Sequence, residues 1–267
     1  MQHIYAKENN HWVTLTLPPA EEPIHNGASV TWGDAGTIFT PAFWRARYWM
    51  DIDLGGLTKK TYKLGHSLQE ETVACLLGGY GITAESSMAY LERFKELDIF
   101  SKEKISQDDI WEILQTPLLI SGSKQRYRFW KNKGIYIHAV LTTHKNRLKK
   151  LEYFKGDPKE FREELMQMKG IGIKTASWIT RNWLDTNSIA VIDIHIHRAL
   201  QLLGMNAPLP NSDSKYLQSE TYFIDLANAI NTSVNFFDIL VWDYMRKFNG
   251  LALKRLNQKG LALPQIV

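Results

Sequence analysis

MKGIGIKTASW, residues 168–178, sets two glycines, Gly170 and Gly172, around an isoleucine and places Lys174 directly behind them. The preceding stretch DPKEFREELMQM predicts a helix, with Asp157 as its cap and Pro158 at the first helical position. KTASWITRNWL predicts a second helix, so residues 158–184 form a helical hairpin turning on GIG. Glycine tolerates positive φ and lets another backbone come close. The first amides of the second helix have no intrahelical acceptor, and with the helix dipole they favour an anion such as a phosphate. Contacts of that kind hold a nucleic-acid backbone without reading its sequence. A helix stop at Gly170 accounts for the glycines equally well, so the lysine and its wider context decide.

The 267-residue chain is 44% hydrophobic and 22% charged, with nine tryptophans and a formal charge of +4. These values fit a folded protein with a sizeable core, and they permit a polyanionic partner without requiring one. A single cysteine, Cys75, excludes an internal disulfide, a four-cysteine zinc site and a cysteine-ligated iron–sulfur cluster. No cofactor and no metal are expected. MQHIYAKENNHW lacks the apolar run of a signal peptide, and no stretch is long and apolar enough for a membrane span. The expectation is a cytoplasmic protein with no membrane partner.

Residues 1–60 differ from the rest and are expected to form a β or irregular extension. HWVTLTLPP alternates as a strand over Trp12–Leu17, and ASVTWGDAGTIF offers two short extended pieces. From Ser67 the pattern turns helical, and residues 61–267 are expected to form one helical body of eight or so helices. Ser67 with Glu70 and Ser106 with Asp109 are capping boxes. ITAESSMAYLERFKEL, DIHIHRALQLLG, SETYFIDLANAI and SVNFFDILVWDYMRK are further helices, the last capped by Ser233. The helices of 219–248 are expected to pack on the hairpin. The tail after Gly250 gives no clear signal.

Nineteen residues after Lys174 comes Asp193, where the apolar run Ile189–Ile192 delivers a carboxylate to a new helix start. The stretch from Met168 to Leu200, with the pattern LxxxxGIGxKTA…VIDxHxxR, resembles the helix–hairpin–helix DNA glycosylases with their glycine-rich loop and aspartate. The resemblance implies a mainly α, two-lobed fold. It also implies that Lys174 attacks C1′ of a damaged nucleotide, expels the base and forms a Schiff base, with strand cleavage by β-elimination. Asp193 is then the carboxylate that stabilises positive charge on the sugar, although its side chain also suits a helix N-cap. His195 is a candidate for the DNA backbone, together with Gly170, Gly172 and Lys174. His195 and His197 stand two apart on a helix, on different faces, and do not make a metal pair.

A free lysine has a pKa near ~10.4, and bringing it near ~7.5 takes about 3 units, roughly 4 kcal/mol of selective disfavour for the cation. Burial and a helix N-terminus both act in that direction. A tight ion pair with Asp193 would oppose it and is not expected.

SKQRYRFWKNKGIYIHAVLTTHKNRLKK, residues 123–150, holds nine Lys and Arg residues and no acidic one. Tyr127, Phe129 and Trp130 interleave with Arg126, Arg128, Lys131 and Lys133, a mixture suited to phosphate contact and base stacking, although such a run is also a common solvated face. RFWKNKGIYI resembles the RFxxNKAxYI segment of archaeal and bacterial 8-oxoguanine glycosylases. That makes Arg128, Asn132 and Lys133 candidates for reading the opposite base, and Arg126 and Lys131 candidates for the backbone. NFFDILVWDYMRKFNG resembles the same group's final helix, which makes Asp238 and Trp242 candidates for holding a flipped base. The group's pattern closes on a lysine soon after this helix, whereas here the chain runs on through LALKRLNQKGLALPQIV. Tyr80 is a possible wedge for the gap left by the flipped nucleotide.

The expectation is a monomeric bifunctional DNA glycosylase and AP lyase acting on duplex DNA with a modified base, 8-oxoguanine by resemblance. Removal of an alkylated or hypermodified base is the alternative within the class. A non-catalytic DNA-binding module is the alternative outside it, and it would need neither Lys174 nor Asp193.

Overall fold

The computed structural model describes residues 1–25, 29–55, 62–79 and 81–261. The chain is mainly α and falls into two compact units: Thr61–Asp185, and Met1–Lys60 together with Thr186–Val267. The division therefore runs through the stretch that the sequence suggests as one helical body, and it groups the N-terminal sixty residues with the C-terminal helices.

In chain order, β1 (Gln2–Glu8) and β2 (His11–Leu17) form an antiparallel hairpin. α1 (Pro41–Tyr48) continues into a π-helical turn, Trp49–Asp53. Next come α2 (Leu68–Leu77), α3 (Ala84–Glu96), α4 (Gln107–Gln115), a small hairpin of β3 (Leu118–Ile120) and β4 (Ser123–Gln125), α5 (Trp130–Leu141), α6 (Lys145–Leu151), α7 (Pro158–Met166) and α8 (Ile173–Leu184). α9 (Ile194–Leu202), α10 (Asp213–Ala229), α11 (Val234–Lys247) and α12 (Asn249–Gln258) follow. No described helix is long and apolar enough to cross a membrane.

The unit Thr61–Asp185 is built around α2, which carries Leu68, Val73, Ala74, Cys75, Leu76 and Leu77 and is buried nearly all round. Tyr90, Leu91 and Phe94 of α3, Ile137 and Val140 of α5, Phe161 and Leu165 of α7, and Ala176 and Ile179 of α8 join the same core. One carboxylate is buried there. Glu71 accepts the amides of Leu64 at 2.6 Å and Gly65 at 2.9 Å, and the Asn182 side chain at 2.7 Å. Burial pushes its carboxyl pKa up, while these donors pull it back. The group ties the chain entering α2 to the far end of α8.

The other unit has an aromatic core. Phe223 stacks on Phe237 at 5.1 Å between ring centres, and Trp44 meets Phe237 edge-on at 6.5 Å. The Tyr48 hydroxyl accepts the Ser233 amide at 3.1 Å, and Tyr244 donates to Asp51 at 2.7 Å. The aromatic stretch from Phe43 thus packs on α11, some 190 residues later, and this gives residues 41–53 their place in the unit.

Several expectations need correcting. β2 pairs with an unanticipated strand, β1, through Asn9 and Asn10, both at positive φ as a tight hairpin turn requires. The described part of 28–39 contains no strand, only an isolated bridge between Pro23 and Thr31. Ser67 receives the Glu70 amide, but the Glu70 side chain turns to the His66 amide, so that box is half formed, whereas the Ser106–Asp109 box is complete. Ser233 does not cap α11 with its side chain; its hydroxyl is engaged by Asn187 and Asn235. α10 starts at Asp213 behind a Ser212 cap, before the predicted Ser219, and α12 forms in the tail.

Candidate active site

The hairpin is built as its sequence requires. Asp157 caps α7 by accepting the Lys159 amide at 2.7 Å, and the buried Arg162 donates to Ser177 at 3.2 Å, pinning α7 to α8. The two glycines do different work. Gly170 has φ +84°, where L side chains are strained, and a Cβ there would overlap the ring of Tyr136 from α5. Gly172 is the N-cap of α8 in an ordinary extended conformation, and a Cβ on it would meet nothing within 4 Å. No side chain caps α8, so its first amides and the positive end of its dipole stay available.

Lys174, the second residue of α8, is half-buried. One turn later Trp178 lies against the backbone of Gly78, whose Cβ would fall 2.7 Å from two atoms of the indole ring. Gly78 closes α2, and its carbonyl accepts the Lys133 ammonium at 3.2 Å. Leu77, one residue earlier, accepts the hydroxyl of the fully buried Tyr127 at 2.6 Å. Lys133 and Tyr136, three apart on one face of α5, therefore reach the end of α2 and the hairpin loop respectively. Burial and then the neighbouring Lys174 cation pull the Lys133 ammonium down to about 8. In the loop, the Lys169 amide donates to His144 at 3.4 Å.

In the other unit, Asp193 is the N-cap of α9, its Oδ1 accepting the amides of His195 at 2.8 Å and Ile196 at 3.0 Å. Side chains from behind hold the strand-like run before it. Ala190 donates to Glu220 at 3.1 Å, Val191 to Asp238 at 2.9 Å, and Ile192 to the Tyr216 hydroxyl at 3.0 Å. Arg198, one turn further into α9, feels the Asp193 charge and donates to Asn249 at the start of α12, 3.1 Å away. His195 is half-buried.

Several sequence-based site residues take other places here. Asp238 is 1% exposed and bonded to the Val191 amide, so its carboxylate fixes the Asp193 segment rather than meeting a base edge. Trp242, on the same helix, is half-buried under the Arg246 guanidinium at 4.8 Å. Tyr127 belongs to the core and offers no stacking face, and Phe129 and Trp130 pack against that core. Arg126, Arg128, Lys131 and Asn132 are exposed, with Arg128 beside Gly81 and over the Phe129 ring. Lys133 points inward to the α2 terminus. Tyr80 lies outside the described residues. Tyr136, Trp178 and Gly78 were not predicted as site residues. Tyr136 and Trp178 are signalled in sequence only by helical spacing from Lys133 and Lys174, three and four residues away, and Gly78 only as a helix end. Among the described residues, no three His, Cys, Asp or Glu side chains gather as metal ligands would.

Residues 59–232 match the family model of 8-oxoguanine DNA glycosylase (Ogg-HhH). An 8-oxoguanine DNA glycosylase/AP lyase of Saccharolobus solfataricus is 29% identical over 181 residues, which covers 64% of this chain and 79% of that protein. The crystal structure of the 8-oxoguanine DNA glycosylase of Methanocaldococcus jannaschii superposes with a TM-score of 0.54 at 27% identity, covering 68% of this chain and 79% of that one. The same archaeal enzyme in complex with a 15mer DNA containing 8-oxoguanine gives a TM-score of 0.54 over 67% of this chain and 80% of that one.

Proposed function

Since this chain belongs to the 8-oxoguanine DNA glycosylase family, we propose that it excises 8-oxoguanine from duplex DNA and cleaves the resulting abasic strand, with Lys174 as the nucleophile. The observation that carries the assignment is a half-buried amine in the first turn of α8, at a helix start that no side chain caps. The Lys174 lone pair forms a bond to C1′, the bond from C1′ to the base breaks, and the base leaves with that electron pair. Opening of the sugar gives a Schiff base, and loss of a C2′ proton then expels the 3′ phosphate.

In this proposal the free amides of α8 with Gly170 and Gly172 hold a phosphate, which the helix dipole favours. Asp193 supplies an ionised carboxylate that favours positive charge on the sugar. One of its oxygens is engaged as the α9 cap, which fixes the carboxylate in direction. Arg126, Arg128, Lys131 and Asn132, exposed around the start of α5, are the proposed contacts to DNA, and His195 is a further one. The reaction uses side chains alone, and the chain carries both residues itself, so the proposed acting species is an intracellular monomer without a cofactor.

Borohydride trapping on a duplex with one 8-oxoguanine tests this. The wild-type chain is expected to form a covalent adduct and Lys174→Ala none; an adduct retained in Lys174→Ala would remove the assignment. A panel of duplexes with oxidised, alkylated and hypermodified bases tests the substrate, with 8-oxoguanine expected to be cut fastest.

A further inference from the structure

We propose that the outward face of the β1–β2 ribbon is a second nucleic-acid surface, which takes an unpaired DNA strand by stacking bases on Trp12 and Tyr5 and placing a phosphate at Lys7. The ribbon lies outside the stretch that matches the glycosylase family, residues 59–232, and its proposed role does not depend on the chemistry of Lys174.

The ribbon has two unlike faces, because side chains alternate along a strand. Ile4 of β1 and Val13, Leu15 and Leu17 of β2 point inward and are half-buried or buried. The Gln2 side chain fixes the base of the ribbon. It donates to the carbonyls of Pro18 and Gly33, each at 2.9 Å, and accepts the Ala35 amide at 2.8 Å. The opposite face carries His3, Tyr5 and Lys7 across from Thr16, Thr14 and Trp12, and all six are exposed. Trp12 is 68% exposed and Tyr5 61%. The two rings are diagonal neighbours in the pairing register, a spacing of about 7–8 Å. The Lys7 ammonium stands 5.2 Å from the centre of the Trp12 ring, and His3 is bonded to Thr16 across the strands at 3.2 Å.

A single exposed aromatic needs no partner, but here two share one small face with a cation. That face holds no carboxylate. The one acidic residue of the ribbon, Glu8, pairs with His11 on the other side. Aromatic rings beside a cation, with no acid among them, suit unpaired nucleotides: each ring offers a π-face to a base, and the ammonium attracts the adjoining phosphate. In a duplex the base faces are already covered by their neighbours, so the rings select an unpaired strand. A second copy of the chain fits less well. Two strands of seven residues give a face on the order of 200–300 Å², whereas a stable dimer buries about 600–1,000 Å² on each partner. Pairing this face with itself would also bring like charges together.

The test uses the full chain and fluorescence anisotropy, with a labelled single-stranded oligothymidine and a lesion-free blunt duplex as probes. The double variant Tyr5→Ala, Trp12→Ala is expected to bind the single strand about tenfold more weakly and to hold the duplex within about twofold of wild type. Trp12→Phe, which keeps a ring, is expected to bind the strand nearly as wild type does. Thr14→Glu removes no ring and no cation but adds a negative charge opposite Tyr5, and it too is expected to weaken strand binding. Lys7→Gln should lower the slope of log affinity against log salt for the strand by about 0.7, the share of one phosphate. All these side chains are exposed, so the melting temperature should stay near wild type. Single-strand affinity unchanged in the double variant overturns the proposal. An equal loss on the blunt duplex also overturns it, since the face would then be a duplex contact. So does a wild-type dimer in sedimentation that the double variant loses, which would make the ribbon a self-association surface.

Discussion

Helices α8 and α9 begin in opposite ways. α8 starts on a glycine, with no side chain over its first amides and a lysine in its first turn. α9 starts on an aspartate whose Oδ1 takes two of those amides. The first arrangement leaves a helix end without a side-chain acceptor, a local loss of a few tenths of a kcal/mol when the cap is glycine. It keeps the positive pole free for an anion and makes it inhospitable to a lysine cation. The second satisfies the helix and orients a carboxylate at the same time. A cap at α8 would cancel the feature that the proposed chemistry needs, whereas at α9 the cap and the proposed charge reside in one side chain.

The largest expected effect follows from removing the amine: Lys174→Ala abolishes the trapped adduct and strand cleavage while leaving the melting temperature near wild type. Next, Asp193 separates the two roles of the α9 start. Asn caps nearly as well as Asp, so Asp193→Asn is expected to leave stability within about 0.5 kcal/mol. It should slow base release by roughly 100-fold or more in single-turnover assays. Asp193→Ala should slow it similarly and also lose about 1 kcal/mol of stability. Equal effects of Asn and Ala on folding, with no separate effect on base release, would reduce Asp193 to a cap.

Behind α9, Asp238→Ala takes the acceptor from the Val191 amide in a half-buried segment, and a loss of about 1 kcal/mol or more is expected in denaturant unfolding. A residue that only touched the base would instead change substrate choice without changing stability. At the α8 start, Gly172→Asp should raise the melting temperature modestly, because the side chain has room and caps the helix. Affinity for duplex should fall, because the anion site is filled. Gly170→Ala, by contrast, should destabilise by about 1–3 kcal/mol through its left-handed φ and the Tyr136 ring.

The last effect is a slope with pH. Lys133 is depressed from 10.5 to about 8 on folding, so the unfolded chain binds more protons between those values. The destabilisation from burying this cation is complete below pH 8 and gone above pH 10.5. The stability of Lys133→Met relative to wild type should therefore decline as pH rises from 8 to 10.5, which thermal melts across that window would detect.

Much of this was legible because the signals are local. GIG, Pro158 and Asp157 dictate the hairpin; Asp193 before an apolar helix dictates a cap; and the run Met168–Leu200 carries the family resemblance. β1 escaped notice because Gln2–Glu8 mixes polar and apolar residues on an exposed ribbon and is held by pairing with β2. α12 and the β3–β4 hairpin escaped for a similar reason, since short elements with few buried residues are stabilised by their neighbours. The reading of Asp238 as a base contact, and of Tyr127 as one of the aromatics interleaved with the basic run, changed because residue type does not report burial. A carboxylate and a phenol can each meet a ligand or satisfy a backbone group in the core, and here the partners are the Val191 amide and the Leu77 carbonyl.

The sequence by itself determined the helical hairpin, the lysine at its second helix, the aspartate at the next helix start and the family to which the chain belongs. The first three follow from backbone preferences and from spacings along the chain, and the family follows from the resemblance of those motifs to known enzymes. Only the tertiary structure decided that Tyr136 closes over Gly170, that Asp238 braces the Asp193 segment, and that Lys133 is anchored to the end of α2 within reach of the Lys174 charge. Those are contacts between residues 34 to 55 positions apart, and in a close-packed interior they depend on which faces of separate helices meet.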